Sequence, residues 1–232
     1  MFSPDEIESM TVSAWERAKA AVAAGDHDGA VALIDEAAKR TRDLQLYSIE
    51  WITSLLSFVS RELGEPAVER ALRATSDDFI HARRQGKWAD LPANVRAKVI
   101  ARAMLANGGA CEVDEDDEKI ILSFRCGSGG RLIDEGRYDK DGGPYVTLRE
   151  RSARTFSRDE LPVYCAHCSV HNEIQAIEWG DTPTSIEFPP TKPGEPCVHH
   201  VYKDVDAIPD EAYERIGLGK NREGATGAAT NP

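Results

Sequence analysis

The sequence predicts an α+β protein, with an N-terminal antiparallel helical bundle followed by a small β-rich, loop-rich, zinc-stapled module. Three observations predict it. Apolar residues recur at helical spacing through the first half of the chain. Turn residues become dense after Gly109. Four of the five cysteines and four of the six histidines fall between positions 126 and 200. A chain of 232 residues is long enough for one large domain or two small ones with a real core.

The helical half opens at Ser3-Pro4-Asp5-Glu6. A capping serine, a proline at the first helical position and a glutamate at the third make a capping-box start. Ile7, Met10, Ala14, Ala18 and Ala21 continue at helical spacing until Gly25-Asp26 breaks the helix. Asp28 is expected to cap a second helix with Val31, Ile34 and Ala38 on one face. A third runs from about Leu44 to Leu63, where Gly64 ends it. Glu65-Pro66 starts a fourth, and Leu91-Pro92 a fifth that closes at Asn107-Gly108-Gly109. About five helices on short turns suggest an antiparallel bundle. No fixed period recurs, so no helical repeat is expected.

After Gly109 the acidic run 112–118 reads as a solvated loop, and Lys119–Arg125 as a strand. Further strands are expected at Tyr145–Leu148, Pro162–Tyr164, Ser185–Phe188 and Cys197–Tyr202, with a short helix from Pro209 to about Ile216. Pro189, Pro190, Pro193 and Pro196 make the approach to Cys197 a stiff extended loop. The domains are therefore drawn as 1–109 helical, 110–216 β-rich and metal-binding, and 217–232 a disordered tail rich in Gly, Ala, Thr and Asn.

Composition bounds the function. A net charge of −12 argues against nucleic-acid binding, which draws most of its affinity from Lys and Arg on phosphates. No run approaches the roughly 18 apolar residues of a membrane span. The acidic start has no basic or apolar signal region, so a cytoplasmic location is expected. An odd cysteine count in a reducing compartment favours metal or thiol chemistry over a disulfide framework.

Cys165-Ala166-His167-Cys168 has the spacing at which one turn presents two sulfurs to one ion. Cys126 follows a strand and Cys197 begins another. Two such thiolates with the central pair make a closed four-sulfur set, Cys126, Cys165, Cys168 and Cys197, which tetrahedral zinc favours. Only one C-x-x-C is present, so His167, His171, His199 or His200 could replace a cysteine. On a strand, His199 points the same way as Cys197, and His200 the opposite way. A thioredoxin-type redox pair competes, but the βαβ context it needs is missing.

Cys126-Gly127-Ser128-Gly129-Gly130-Arg131 is the second feature. Its glycines expose backbone N–H groups, and Arg131 could pair with a carboxylate or phosphate, so Gly127, Ser128, Gly129, Gly130 and Arg131 form a candidate anion site. A plain turn beside a metal ligand explains the same residues. No Walker ending is present and no helix pattern follows.

Two functions follow. One is a metal-binding protein with structural zinc and a surface for a small anion or a protein partner. The other is a metal- or thiol-dependent enzyme, of hydrolase or lyase type, acting on a small anionic substrate near Cys126–Arg131. There Glu173 or His171 would move a proton, or Cys126 would attack with His199 or His200 as base. A di-iron bundle lacks its paired Glu-x-x-His motifs. Cys111 stands apart as a plain thiol, and the tryptophans read as packing.

Overall fold

A computed structural model describes residues 2–83 and 86–220. Residues 221–232, most of the expected disordered tail, lie outside the described residues. Helices and strands together make the protein α+β. Among the described residues no helix is long and apolar enough to cross a membrane. The chain divides into two compact units, residues 1–50 and 51–232.

In the first unit the expected opening helix is two helices. α1 (Pro4–Thr11) carries the capping box, and α2 (Ala14–Ala24) starts afresh. Val12 between them is extended, and the Ser13 side chain accepts from Glu16 N–H at 3.2 Å. A β-branched pair, Thr11-Val12, followed by a good capping residue favours this break. Gly25 closes α2 with φ +78°, a left-handed conformation that costs glycine nothing. The cap of α3 (His27–Leu63) is Asp26, whose carboxylate accepts from Gly29 N–H at 2.9 Å, in place of the expected Asp28. α3 runs unbroken through positions 39–43, so the expected second and third helices are one. Lys39-Arg40-Thr41-Arg42-Asp43 is polar but holds neither glycine nor proline, and Lys and Arg are strong helix formers.

In the second unit the end of α3 leads through Gly64 into α4 (Glu65–Phe79), and α5 (Ala93–Ala106) follows. Both begin and end close to where the sequence places them. A four-stranded antiparallel sheet follows, in the order β1-β2-β6-β5. The acidic run expected as a loop supplies most of β1 (Ala110–Glu115), an exposed edge strand whose charges discourage further pairing. β2 (Lys119–Arg125) and β6 (Cys197–Tyr202) keep their expected bounds, and β5 is Ile186–Phe188. β3 (Thr147–Leu148) and β4 (Leu161–Pro162) form a separate two-stranded pair.

Alternation along β2 and β6 sends Ile120, Leu122 and Val201 to one face. There Ala97 and Ile100 of α5 cover them, so α5 packs across the composition change near residue 110. Leu122 and Val201 are almost wholly buried, which contributes about 1.5–3 kcal/mol for each such side chain. The rest of that sheet face carries the candidate site.

Candidate functional site

Strand register builds the first half of the site. In the β5–β6 pair Glu187 lies directly opposite His199. In the β2–β6 pair Leu122 opposes His199 and Phe124 opposes Cys197. Period-two alternation puts Cys197 and His199 on one face and His200 on the other. His200 sits against Phe188 instead, at 4.9 Å between ring centroids.

The second half comes from residues 163–178. A short 3₁₀ turn (Val163–Cys165) runs through His167 into a π-helical turn (Cys168–Ile174) and then α7 (Gln175–Glu178). The C-x-x-C is thus helical, where a knuckle was expected. π-Helical turns are rare and concentrate at functional sites.

Two thiol–imidazole pairs result. Cys197 Sγ lies 3.6 Å from His199 Nε2, and Cys168 Sγ lies 3.6 Å from His167 Nε2. The far nitrogen of each ring is anchored. His167 Nδ1 is 2.6 Å from the Tyr164 carbonyl oxygen. A carbonyl only accepts, so Nδ1 carries the proton and Nε2 presents its lone pair towards sulfur. His199 Nδ1 is 2.8 Å from Ser185 Oγ and 3.5 Å from Glu187 Oε1. Ser185 donates to Glu187 at 3.4 Å and Asn172 donates to the same oxygen at 2.9 Å. The network therefore assigns the His199 proton to Nδ1, again leaving Nε2 facing sulfur.

The Cys197, His199 and Glu187 half is buried, whereas Cys168 and His167 are half-buried. Burial pushes the Cys168 and Cys197 thiols well above their ordinary range, and the neighbouring Glu187 carboxylate pushes them further. Burial also holds His199 down to about 4 and raises Glu187 to about 7. Glu187 Oε2 has no hydrogen-bond partner, although its residue is 1% exposed.

Cys165 and Cys126 stand beside these pairs. Burial raises the Cys165 thiol, and Cys126 raises it further. Cys126 is half-buried, and its sulfur contacts Ser128 Oγ at 3.0 Å. The described cysteines are all free thiols, Cys111 on β1 included. Among the described residues no three Cys, His, Asp or Glu side chains are grouped as one ion needs. What is present is two donor pairs with two further thiols nearby, without a closed tetrad.

The glycine loop has a packing role. A Cβ at 129 would lie 2.9 Å from Cys165 Sγ, and one at 130 would lie 2.8 Å from Cys126 Cβ. Only glycine lets this loop pass between the two cysteines. A short helix, α6 (Gly129–Asp134), follows where none was expected, and Arg131 Nη1 donates to both carboxylate oxygens of Glu135 at 2.8 Å.

Glu173 and His171, the expected proton movers, are structural ties here. Glu173 is fully buried and accepts from Glu187 N–H at 2.7 Å and from Arg215. His171 Nε2 donates to the Leu72 carbonyl at 2.9 Å. Glu187, Ser185 and Asn172 are the site residues that sequence reasoning missed. A carboxylate between Ile186 and Phe188 in a strand is a signal that could have found Glu187.

No protein-family model, curated protein or solved structure matches the chain.

Proposed function

We infer that this is a metal-binding protein of the reducing cytoplasm, in which buried and half-buried thiols and imidazoles hold zinc as a structural link between β6 and the turn at 163–178. One observation carries this: two Cys–His pairs, each with Sγ and Nε2 at 3.6 Å and each imidazole anchored through its other nitrogen. Zn–S of about 2.3 Å and Zn–N of about 2.0–2.1 Å at a tetrahedral angle give a sulfur–nitrogen edge of about 3.6 Å. Metal-ligating histidines typically donate their second N–H to a carbonyl, a carboxylate or a group bound to one. Tyr164 O, and Ser185 with Glu187, supply those acceptors.

With protons on sulfur these contacts are S–H···N hydrogen bonds. Zinc would displace both protons, neutralising thiolates that burial otherwise forbids. Closing both pairs on one ion requires them to draw together, so metal should alter the 163–178 segment. Cys126 and Cys165 are the alternative sulfurs for the same ion.

The test is metal analysis of purified protein, then cobalt substitution, whose thiolate charge-transfer absorption scales with the number of sulfurs bound. One zinc per chain is expected, with two-thiolate intensity, and Cys168→Ser and Cys197→Ser should each lose metal. Absence of stoichiometric metal, together with failure to take up Zn²⁺ or Co²⁺, would sink the proposal.

A thiol enzyme is the second reading, favoured by the line Cys197–His199–Ser185–Glu187, which resembles a nucleophile, base and orienting acid. The burial and raised pKa of Cys197 weigh against it, since reactive thiols are accessible and acidic.

A further inference from the structure

We propose that the cavity beneath α3 and α4 is a binding site for a small uncharged aromatic or aliphatic molecule carrying one hydrogen-bond donor, which His171 accepts. The cavity measures 410 Å³, within the usual range of small-molecule sites. Leu55, Leu56, Val59, Leu72 and Phe79 form most of its wall. Tyr164, His167 and His171 close one side.

The lining decides the ligand class. It contains no Lys, Arg, Asp or Glu, so an ion entering it would lose its hydration without gaining a partner. The polar groups there are few and mostly committed. Thr75 donates to the Ala71 and Leu72 carbonyls at 3.2 and 2.9 Å. His167 is spoken for by Tyr164 O and Cys168. His171 donates through Nε2 to Leu72 O, which leaves Nδ1 as an acceptor on a side chain lining the cavity. A ligand O–H or N–H satisfies it, and an apolar body fills the rest.

The rim is open enough for entry. Leu55 and Phe79 are 51% and 46% exposed, a costly arrangement for large apolar side chains unless something covers them. This site differs in place and charge preference from the expected anion loop at 127–131.

Equilibrium dialysis of the full chain tests it with three probes of one shape: 2-naphthol, naphthalene and 2-naphthoate. 2-Naphthol should bind at one site, about two- to tenfold more tightly than naphthalene, the ratio that one net hydrogen bond supplies. 2-Naphthoate should not bind measurably. His171→Phe keeps a flat ring but has no acceptor, and Leu72 O still accepts from Thr75 Oγ, so the variant should erase the naphthol preference and leave naphthalene binding unchanged. Leu55→Trp, on the exposed rim, should weaken both ligands at least about tenfold without unfolding the chain. Equal binding of naphthol and naphthalene, tight naphthoate binding, or Leu55→Trp without effect would each overturn the proposal.

Discussion

One face of the four-stranded sheet does two different things along its length. Under α5 it presents Ile120, Leu122 and Val201, which bury apolar surface and need nothing else. A few residues along β6 it presents Cys197 and His199, with Glu187 opposite on β5. Those groups are just as buried, but burial works against each of them in its ionised form. The first stretch makes the fold stable. The second is tolerated by a stable fold, and such costs concentrate where a protein acts.

Leu122→Ala tests the apolar stretch and should have the largest effect. A side chain this buried costs about 2–5 kcal/mol on truncation, read by urea denaturation. A loss under about 1 kcal/mol would mean that α5 is not anchored as described. Metal affinity, measured by chelator competition, should change little for the fraction that remains folded.

Glu187→Gln should act in the opposite direction. Burial raises the Glu187 pKa from 4.5 to about 7, so the folded chain holds a proton that the unfolded chain has lost. Stability from this group therefore falls as pH rises from 4.5 to about 7 and stays reduced above. Gln keeps an oxygen for Asn172 and Ser185 but never ionises. At pH 8 the variant should be more stable by on the order of 1–3 kcal/mol, the gain vanishing below pH 4.5. Its metal affinity should drop roughly 10–100-fold, because the acceptor behind His199 loses its charge. A variant that gains stability while losing metal would separate the two halves of the sheet face cleanly. A loss of both would mean that Glu187 is simply core.

The smallest effect is expected from Cys126→Ser. Its sulfur is half-buried and touches a hydroxyl, so stability should move by less than about 0.5 kcal/mol. If the two Cys–His pairs are the ligands, metal content stays at one per chain. Loss of metal in this variant would restore Cys126 to the ligand set that spacing alone suggests.

Much of this architecture is readable from residue order. Alternation marks β2 and β6 to the residue, and the same period two places His199 with Cys197 and turns His200 away. β1 escapes because its residues are acidic, and strand propensity says nothing about an edge stabilised by pairing with β2. The union of the second and third helices escapes for the opposite reason: a polar stretch looks like a gap when only apolar spacing is followed. In the site, C-x-x-C spacing identifies the right segment but the wrong local shape. A π-helical turn leaves no compositional trace, since it differs from an α-helix only by one residue of hydrogen-bond register. Glu187, Ser185 and Asn172 are legible only once β5 is set beside β6.

That extra residue of register at Cys168–Ile174 has a consequence for how the chain tolerates insertion and deletion. Each residue of an α-helix turns the chain by about 100°. Deleting one position between Cys168 and His171 would let an ordinary α-helix form, with no loss of backbone hydrogen bonding. The wider turn takes up the extra residue, so the faces on either side of it keep their alignment, and His167 and His171, three apart after the deletion, would still share a side. The same residue carried by an ordinary α-helix would swing the Cys168 end by that angle against the end that holds Glu173 and Gln175. The π-turn is thus the device that lets the chain add a buried side chain, Ser169 or Val170, to this wall without turning its histidines apart.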